Sequence, residues 1–524
     1  MSLKQVYSGN PKNYLPPFFD SIKELENNGT FGNTALNDQI DYRKKTFSQE
    51  AREELVSIIR NQYQGIENPK AEGAINTLEK ENAFTVTTGQ QIHVFLGPMY
   101  VQNKILSAVK KAEEIKAQHP NIEVIPVFWM ATEDHDMEEI DHVFVHGEKY
   151  TWEHNHTGIS GKTPTKGLSQ VLDNIVDNKN GADIGIIDIY KTAYTNFNNL
   201  ADATRYLVDY FYGDLGVLVI DANDKLLKAR IKKDIITDII DDGFSESLEN
   251  QTQLMESAGI VRQINSRKTN YFYLDTEARN RIIKDGDEYQ IGDSNKTQTE
   301  LRKAIEDTPE LFSPNVAMRP LFQERVLPNL VYMAGPSEYI YWQQLKLVFK
   351  TANCNFPLVE LRDSVIISNN KKHTKILNAL SSVEDLFLPN ELFIEKLNEH
   401  FFGISPTSKI LDTIKQFELK FLEDLRLKQI PNLSMYKDHF EVFKTETMKL
   451  FAEFESQRMN SPNNTNQING LLKIKDQYYS LDKKWERNVS ILELQLFVTQ
   501  ETIQLNTIEN NAKLHIYLDS PEDY

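Results

Sequence analysis

The fold is decided by residues 83–140, which read AFTVTTGQQIHVFLGPMYVQNKILSAVKKAEEIKAQHPNIEVIPVFWMATEDHDMEEI. Residues 84–87 are aromatic or β-branched, which predicts a short strand. Pro98 suits the first turn of a helix, where its missing N–H is not needed. Residues 124–130 are almost all apolar, as in a strand buried on both faces. Strand, helix and strand within about 50 residues indicate a βαβ unit and therefore a parallel sheet.

The helix of this unit is predicted to run from Pro98 to about residue 117. Lys104 and three other lysines are expected on faces that do not meet the sheet. The face toward the sheet is predicted from apolar residues that recur at helical spacing: Ile105, Ala108, Val109, Ala112 and Ile115.

Three further apolar runs predict more strands of the same sheet, at 216–221, 330–333 and 356–360. The long segments between the strands, at about 142–200 and 226–312, are interpreted as insertions into one Rossmann-like sheet. Within the second insertion, residues 269–275 have the pattern of an edge strand. We therefore expect an α/β protein in which residues 1–380 form a parallel-sheet catalytic core with two insertions.

Residues 381–524 have a different character. Apolar residues recur every three or four positions from 410 to 425 and again from 436 to 454, which predicts two helices. A loop is expected at 461–466, and residues 471–510 contain no Gly or Pro. As one helix, that last stretch would be about 60 Å long. Long helices with apolar stripes are typical of a helical hairpin or coiled coil. An ordinary bundle packed on the core is the alternative.

The charge and cysteine content narrow the class of protein. The 524 residues carry 58 Lys and Arg against 76 Asp and Glu, a net charge of −18, which disfavours general binding to nucleic-acid phosphates. The single cysteine, Cys354, excludes an internal disulfide and a cysteine-based zinc site. Residues 1–17 lack the apolar core of a signal peptide, and no apolar run is long enough to span a membrane. We therefore expect a cytoplasmic protein that binds neither membranes nor nucleic acid.

The first candidate site follows the strand at 84–87. Ligands of open α/β sheets lie at the carboxyl ends of strands, and helix N-termini attract anions. The sequence therefore predicts a pocket for an anionic group at the start of the helix, formed by Gln90, Gln91, Gly97, Tyr100 and Lys104. A tight turn with polar surface residues is the structural alternative.

The second candidate site follows the apolar strand at 124–130. Four ionisable residues occur in succession there: Glu133, Asp134, His135 and Asp136. Clustered carboxylates raise one another's pKa, so such a cluster is costly without a function. Carboxylates and an imidazole can hold or deprotonate an amine, which makes these four the candidate catalytic residues. A helix N-cap is the alternative.

The third candidate site lies around the strand at 330–333. Arg319 could bind a carboxylate through its two-pronged guanidinium group. Because the three sites follow strands of one sheet, we expect them to share one cleft. The residues assigned to this third part are Asn315, Arg319, Gly335, Ser337, Glu338 and Trp342.

Two other motifs are not interpreted as sites. Residues 156–163, HTGISGKT, resemble a phosphate-binding loop, but His156 stands where glycine is needed. Five of the eleven histidines fall within 22 residues, yet without the spacing of metal ligands. The sequence therefore predicts no metal site.

Six motifs together resemble a known family, the cysteine-adding enzymes (cysteine ligases) of bacillithiol biosynthesis. They are TGQQ at 88–91, GPMY at 97–100, PVFW at 126–129, EDHD at 133–136, SPNVAMRP at 313–320 and GPSE at 335–338. The resemblance is close over about residues 1–400 and holds by pattern alone in the C-terminal helices.

The resemblance implies a Rossmann-like core similar to class I aminoacyl-tRNA synthetases, with two connecting insertions. It also implies a C-terminal coiled coil that pairs two subunits into a homodimer. The implied reaction adds cysteine to the amine of glucosaminyl-malate and gives bacillithiol, with ATP or another nucleotide and Mg²⁺ as a candidate energy source. The sequence departs from the synthetases in having no His-x-Gly-His motif.

Our hypothesis is a ligase of this kind, with cysteine and glucosaminyl-malate as its small-molecule substrates. The first site would form the anionic pocket, Asp134 to Asp136 would hold or deprotonate the amine, and Arg319 would bind a carboxylate. The alternatives are a synthetase-like nucleotidyl transferase with another acceptor, a non-catalytic dimeric scaffold and a metal-dependent hydrolase.

Overall fold

The computed structural model describes residues 3–9, 15, 18–27, 35–179, 181–275, 278–286, 288–368, 372–403, 407–431, 433–459, 462–480, 484–497 and 514–519. Across these residues, no helix combines the length and the apolarity that a membrane span requires.

The first third of the chain contains the βαβ unit. Its elements are β1 (Leu3–Gly9), α1 (Phe19–Asn27), α2 (Leu36–Thr46), α3 (Gln49–Gln62), α4 (Glu72–Leu78), β2 (Ala83–Gln90), a 3₁₀ turn (Val94–Leu96), α5 (Met99–Gln118), β3 (Glu123–Met130) and a second 3₁₀ turn (Met137–Glu139).

The segment from β3 to the third strand of the central sheet is a hairpin followed by helices. It contains β4 (His142–Val145), β5 (Glu148–Thr151), a 3₁₀ turn (Ser160–Lys162), α6 (Leu168–Asn178), α7 (Ile184–Asn196), α8 (Leu200–Tyr212), a 3₁₀ turn (Gly213–Leu215) and β6 (Leu218–Asp221).

The next segment mixes helices with an antiparallel sheet before the chain returns to the central sheet. It contains α9 (Lys225–Ala229), α10 (Lys232–Ile239), α11 (Ser245–Ser257), β7 (Tyr271–Leu274), β8 (Arg279–Asp285), β9 (Glu288–Ile291), β10 (Ser294–Thr297), α12 (Gln298–Asp307), a 3₁₀ turn (Pro309–Leu311) and β11 (Phe312–Pro314). Then follow α13 (Arg319–Val326), β12 (Asn329–Ala334), α14 (Pro336–Gln343), α15 (Lys346–Thr351), β13 (Leu358–Leu361) and β14 (Ser364–Ser368).

The C-terminal region is mostly helical. Its elements are α16 (Lys372–Ala379), a 3₁₀ turn (Val383–Phe387), α17 (Asn390–Phe402), α18 (Thr407–Leu427), α19 (Leu433–Met459), α20 (Pro462–Tyr478), α21 (Trp485–Asn488), α22 (Ile491–Phe497) and β15 (Leu514–Asp519).

The central sheet has five parallel strands in the order β13-β12-β2-β3-β6. All five coincide with strands predicted from the sequence, and the α/β, Rossmann-like fold class is confirmed. Because the strands are parallel, their carboxyl ends lie along one edge of the sheet, where ligands of such folds bind.

Helix α5 packs against this sheet through the predicted face. Its five predicted contact residues are each at most 3% exposed: Ile105, Ala108, Val109, Ala112 and Ile115. Replacing one of these isoleucines by alanine would cost about 2–5 kcal/mol. Lys104 differs from the prediction, because its side chain is only 3% exposed instead of lying on an outer face. It is buried because the first turn of α5 lies at the end of β2, whose Gly89 carbonyl accepts a hydrogen bond from Lys104 Nζ at 2.7 Å.

The strand predicted at 269–275 is present as β7, but the prediction that it lies at the edge of a sheet is wrong. Strand β7 lies inside a second, antiparallel sheet of order β10-β9-β8-β7-β11, paired with β8 on one side and β11 on the other. The partner β11 lies about forty residues away along the chain, and a local pattern of aromatic residues cannot reveal such a distant neighbour.

The C-terminal helices agree with the prediction only in part. Helices α18 and α19 form a hairpin, with the rings of Phe417 and Phe440 5.8 Å apart. The loop expected at 461–466 is instead, from Pro462 onward, the first turn of α20. The stretch 471–510 is not one long helix, because α20 ends at Tyr478 and two short helices follow; residues 498–510 lie outside the described part.

The chain also contains β-structure where only helices were expected. Strand β15 lies between β1, to which it is antiparallel, and β14, to which it is parallel. Residues near both ends of the sequence therefore share one three-stranded sheet beside the core.

Candidate active site

A cleft of about 580 Å³ lies at the carboxyl ends of β2, β3 and β12. Residues from all three predicted sites line it, together with the first turns of α5 and α14. The predicted residues in its wall are Gln90, Gln91, Tyr100, Lys104, Asp134, Arg319, Gly335, Ser337, Glu338 and Trp342. The structure thus brings these residues together, while their chemical roles stay predictions.

Lys104 joins the first site to the third. Its Nζ lies 2.6 Å from Glu338 Oε2 and donates to Gln90 Oε1 at 2.8 Å. Burial lowers the pKa of the Lys104 ammonium, and the Glu338 carboxylate opposes this shift. Glu338 also accepts from the backbone N–H of Gly335 at 2.6 Å and so caps α14. The pair therefore joins the N-terminal parts of α5 and α14 at the cleft.

His93 is a cleft residue that the sequence analysis missed. The Tyr100 hydroxyl lies 3.1 Å from His93 Nε2 and accepts a hydrogen bond from Gln90 Nε2 at 3.3 Å. Burial lowers the pKa of His93 to about 4, so the imidazole is neutral near pH 7. A single histidine between apolar residues gives no signal in the sequence, and only the fold places it beside Tyr100.

Gly97 lies directly against His93 and does not line the cleft in the described part of the chain. Its φ of +78° belongs to the left-handed region, and a Cβ there would lie 2.6 Å from His93 Cβ. The two residues before it, Phe95 and Leu96, also have positive φ. Such strain is held only where surrounding contacts fix the backbone, and here the Tyr194 hydroxyl accepts from the Phe95 N–H at 2.8 Å.

Asp134 is the member of the acidic cluster that lines the cleft. It accepts hydrogen bonds from Gln91 Nε2 at 3.1 Å and from Arg279 Nη1 at 3.4 Å, and Arg319 Nη2 lies 3.8 Å away. Burial favours the neutral acid, but Arg319 and Arg279 outweigh it and hold the pKa of Asp134 below its ordinary value. Asp134 is therefore a carboxylate that faces the cleft.

The other three members of that cluster point elsewhere. Glu133 is buried in an ion pair with Lys228, which is itself fully buried. His135 is half exposed and Asp136 is exposed, and neither lines the cleft. Successive side chains at the end of a strand leave in different directions, so one turn cannot direct four neighbours into one cleft.

Asn315 lies in an adjoining cavity instead of the main cleft. Its Oδ1 accepts from the backbone N–H groups of Ala317 and Met318, at 2.8 and 3.2 Å, and its Nδ2 donates to Asn270. These bonds shape the turn before α13, which carries Arg319.

The C-terminal region contributes to the cleft, which the sequence analysis did not predict. Arg487, from α21, lines the cleft and lies over the Tyr100 ring, with its guanidinium carbon 5.8 Å from the ring centroid. Its neighbour Glu486 forms a two-pronged ion pair with Arg362, at 2.5 and 2.8 Å. Arg362 also lines the cleft. Nothing local in the sequence links residues more than a hundred positions apart.

In the part of the chain that the structure describes, no group of three or more His, Cys, Asp or Glu could hold a metal ion. The lone thiol is also no candidate nucleophile, because burial raises the pKa of Cys354. The cleft wall carries cationic groups that can bind anions, the carboxylates of Asp134, Glu139 and Glu338, of which Glu338 is paired with Lys104, and a neutral imidazole at His93.

Comparison with known proteins finds a matching family and several relatives. The sequence model described as "Bacillithiol biosynthesis BshC, N-terminal Rossmann-like domain" matches residues 7–363. A "Putative cysteine ligase BshC" of Christiangramia forsetii is 31% identical over 470 residues, which cover 85% of each chain. Proteins of the same name are 33% identical in Flavobacterium johnsoniae (78% of this chain, 77% of the relative) and 36% identical in Cytophaga hutchinsonii (64% and 63%).

Proposed function

The chain belongs to the BshC family of bacillithiol biosynthesis, and from this premise we propose that it joins the carboxylate of cysteine to the amine of glucosaminyl-malate. The product of that reaction is bacillithiol. The observation that carries the proposal is the meeting of cationic side chains and the Asp134 carboxylate in one cleft. One side suits carboxylate or phosphate groups, and the other suits an amine.

An amide bond does not form spontaneously in water from a free acid and an amine, so the cysteine carboxylate must first be activated. ATP or another nucleotide with Mg²⁺ is the co-substrate class that the proposal includes. Arg487 presents a cationic group to the cleft beside Lys104 and Arg362, whose charges are shared with Glu338 and Glu486, and this cationic wall fits the phosphates of such a nucleotide. Their charges would stabilise the negative oxygens that develop during acyl transfer.

The acceptor amine must lose a proton when it attacks the activated carbonyl carbon. In our proposal Asp134 holds the amine through a charge-assisted hydrogen bond. As the new amide bond forms, the bond between the carbonyl carbon and the activating phosphate breaks, and the amine proton leaves with that phosphate group. The Tyr100 hydroxyl and the neutral His93, whose Nε2 is 3.1 Å away, add hydrogen-bonding groups to the same cleft.

The test is a reconstituted reaction of the purified full chain with cysteine, glucosaminyl-malate and ATP, followed by mass spectrometry of the thiol product. Asp134→Asn should lower the rate at least about 100-fold, the usual range for loss of a positioned acid–base or ion-pairing group. Asp136→Asn is the matched control, because Asp136 is exposed and lies outside the cleft. Equal activity of both variants would remove Asp134 from the mechanism.

A second arm uses cells. Deleting the gene should remove bacillithiol and let glucosaminyl-malate accumulate. An unchanged thiol pool in a strain without any other member of the family would contradict the proposed reaction. We also propose a cytoplasmic location, because free cysteine and the thiol product need a reducing compartment.

We further propose that the protein is a homodimer paired through α18 and α19. Large apolar side chains on this hairpin are 44–75% exposed, and such a surface is unusual on a monomer. The residues are Phe417, Leu419, Leu427, Met435, Val442, Phe443, Leu450, Phe451 and Phe454.

Light scattering after gel filtration tests the dimer. Leu450→Asp should shift the protein to monomer, whereas Thr445→Asp, an exposed polar position on the same helix, should not. A wild-type monomer at micromolar concentration would contradict this part of the proposal.

A further inference from the structure

A second cavity of about 250 Å³ opens beside the main cleft. The two share Asp134, Val316 and Arg319 in their linings, so they lie side by side. The second cavity is smaller than the usual range for a complete small-molecule site and suits one end of a substrate. Its other wall comes from the antiparallel sheet of β7 to β11.

Four arginines line this cavity: Arg267, Arg279, Arg281 and Arg319. Arg279 and Arg281 alternate on β8, so both side chains leave the same face of the strand. Strand β7 lies next to them, with Phe272 paired opposite Arg281. The pattern of the strand, not chance, therefore directs two guanidinium groups into one space.

The cavity has an excess of positive charge. Asp134 is the one carboxylate among its described lining residues, and it is shared between Arg279 and Arg319. Within the described residues, Arg267 and Arg281 form no ion pair. Four guanidinium groups face one carboxylate, in a chain whose net charge is −18.

Arg279 is built into the wall. Its side chain is 4% exposed and lies over the Phe272 ring at 4.0 Å. Its Nη2 donates to the Pro314 carbonyl at 2.8 Å, and its Nε donates to Ser313 Oγ at 3.1 Å. Burial, and then the neighbouring Arg319, lower the pKa of Arg279 to about 10. A cation held in place against its neighbours in this way is prearranged for an anion.

We propose that this cavity binds a group with two or more negatively charged oxygens at one end of a substrate. Guanidinium forks recognise carboxylate and phosphate pairs through two parallel hydrogen bonds. Asp134 lies where the cavity meets the cleft, so a ligand anchored here by its anionic end presents an amine to that carboxylate. This inference rests on the proposed function, in which the malyl dicarboxylate of the acceptor is the matching group and a nucleotide polyphosphate is the other source.

Calorimetric binding to the purified full chain tests the site with malate as dicarboxylate, lactate as monocarboxylate and pyrophosphate as phosphate probe. The variant Arg267→Ala/Arg281→Ala removes two exposed arginines without touching the buried Arg279. Arg302→Ala is the matched control, because Arg302 is an exposed arginine of the same insertion that pairs with Asp241 outside the cavity.

We expect malate to bind more tightly than lactate, and the double variant to weaken malate binding at least about tenfold, with Arg302→Ala unchanged. Loss of pyrophosphate binding with malate binding retained would identify a phosphate subsite as the source of the chemistry. If neither probe depends on the two arginines, the inference is overturned. A kinetic arm should show a raised KM for glucosaminyl-malate and an unchanged KM for cysteine.

Failure of this inference can be distinguished from failure of the proposed function. Arginine-dependent malate binding in a protein that makes no bacillithiol would uphold the subsite and refute the reaction. Bacillithiol synthesis with the same KM for glucosaminyl-malate in the double variant and the wild type would uphold the reaction and refute the subsite.

Discussion

Replacing Glu486 by alanine tests the attachment of the C-terminal region to the cleft. Glu486 and Arg362 are 1% and 3% exposed, and their ion pair joins α21 to the segment between β13 and β14. Leaving a buried charge without its partner costs about 3–5 kcal/mol. Asn103 Nδ2, which donates to Glu486 at 3.0 Å, also loses its acceptor, which adds about 1 kcal/mol. We therefore expect Glu486→Ala to lower the free energy of unfolding by about 4–6 kcal/mol.

The double variant Arg362→Met/Glu486→Leu separates charge burial from packing. It removes the guanidinium together with the carboxylate but leaves Asn103 without that acceptor, so we expect a loss of only about 1 kcal/mol relative to the wild type. Urea denaturation, followed by circular dichroism and by the fluorescence of tryptophans that include the buried Trp485, measures both variants. The reasoning is refuted if the single variant is within about 1 kcal/mol of the wild type, or if the double variant is no more stable than the single.

The Arg362–Glu486 ion pair also predicts a loss of stability at acidic pH. Burial opposes ionisation of Glu486, but Arg362 outweighs it and holds the pKa below the ordinary 4.5. A carboxyl group whose pKa is lower in the folded state stabilises the fold above its unfolded pKa and loses that contribution as pH falls through the folded pKa. The stability difference between wild type and Glu486→Ala should therefore shrink below about pH 4.5.

Three further variants test the local structure of the site. Glu133→Gln should lower stability by about 3–5 kcal/mol, because it leaves Lys228 buried without a carboxylate. The folded fraction should keep its turnover rate. A large loss of kcat without a lower Tm would contradict this placement of Glu133. The pKa of His93 is lower in the fold than in the unfolded chain, so the stability of the wild type should rise between about pH 4 and pH 6.5, and His93→Asn should flatten that rise. Urea midpoints measured across this pH range test the effect. They would not differ between the two proteins if His93 were solvated. Gly97→Ala should cost at least about 1–3 kcal/mol through its positive φ and the close approach of His93, and an unchanged Tm would refute that account.

The central sheet could be predicted because its signals are local. Residues 124–130 are apolar for the length of a strand, and the apolar face of α5 repeats within one helix. Each element can therefore be predicted from its own residues alone. The carboxyl-end rule then placed Gln91, Asp134 and Glu338 in one cleft, although they lie far apart in the sequence.

What could not be predicted depends on contacts between distant segments. The break after α20 is not marked by Gly or Pro. The helix ends there because Trp485 and Glu486 are buried against the core. His93 and Arg487 likewise become cleft residues only through the fold around Tyr100. Within the acidic cluster, the sequence could not tell which side chain would face the cleft, since that depends on how the turn after β3 leaves the sheet.

The sheet formed by β1, β15 and β14 sets an order for making the protein. Strand β1 pairs with β15, which lies beyond the whole Rossmann-like core in the sequence, so β1 gains this partner only after that core has been synthesised. Arg487 also emerges late, after the Rossmann-like core has left the ribosome. A nascent or prematurely ended chain therefore has the sheet and α5 but lacks part of the cleft wall.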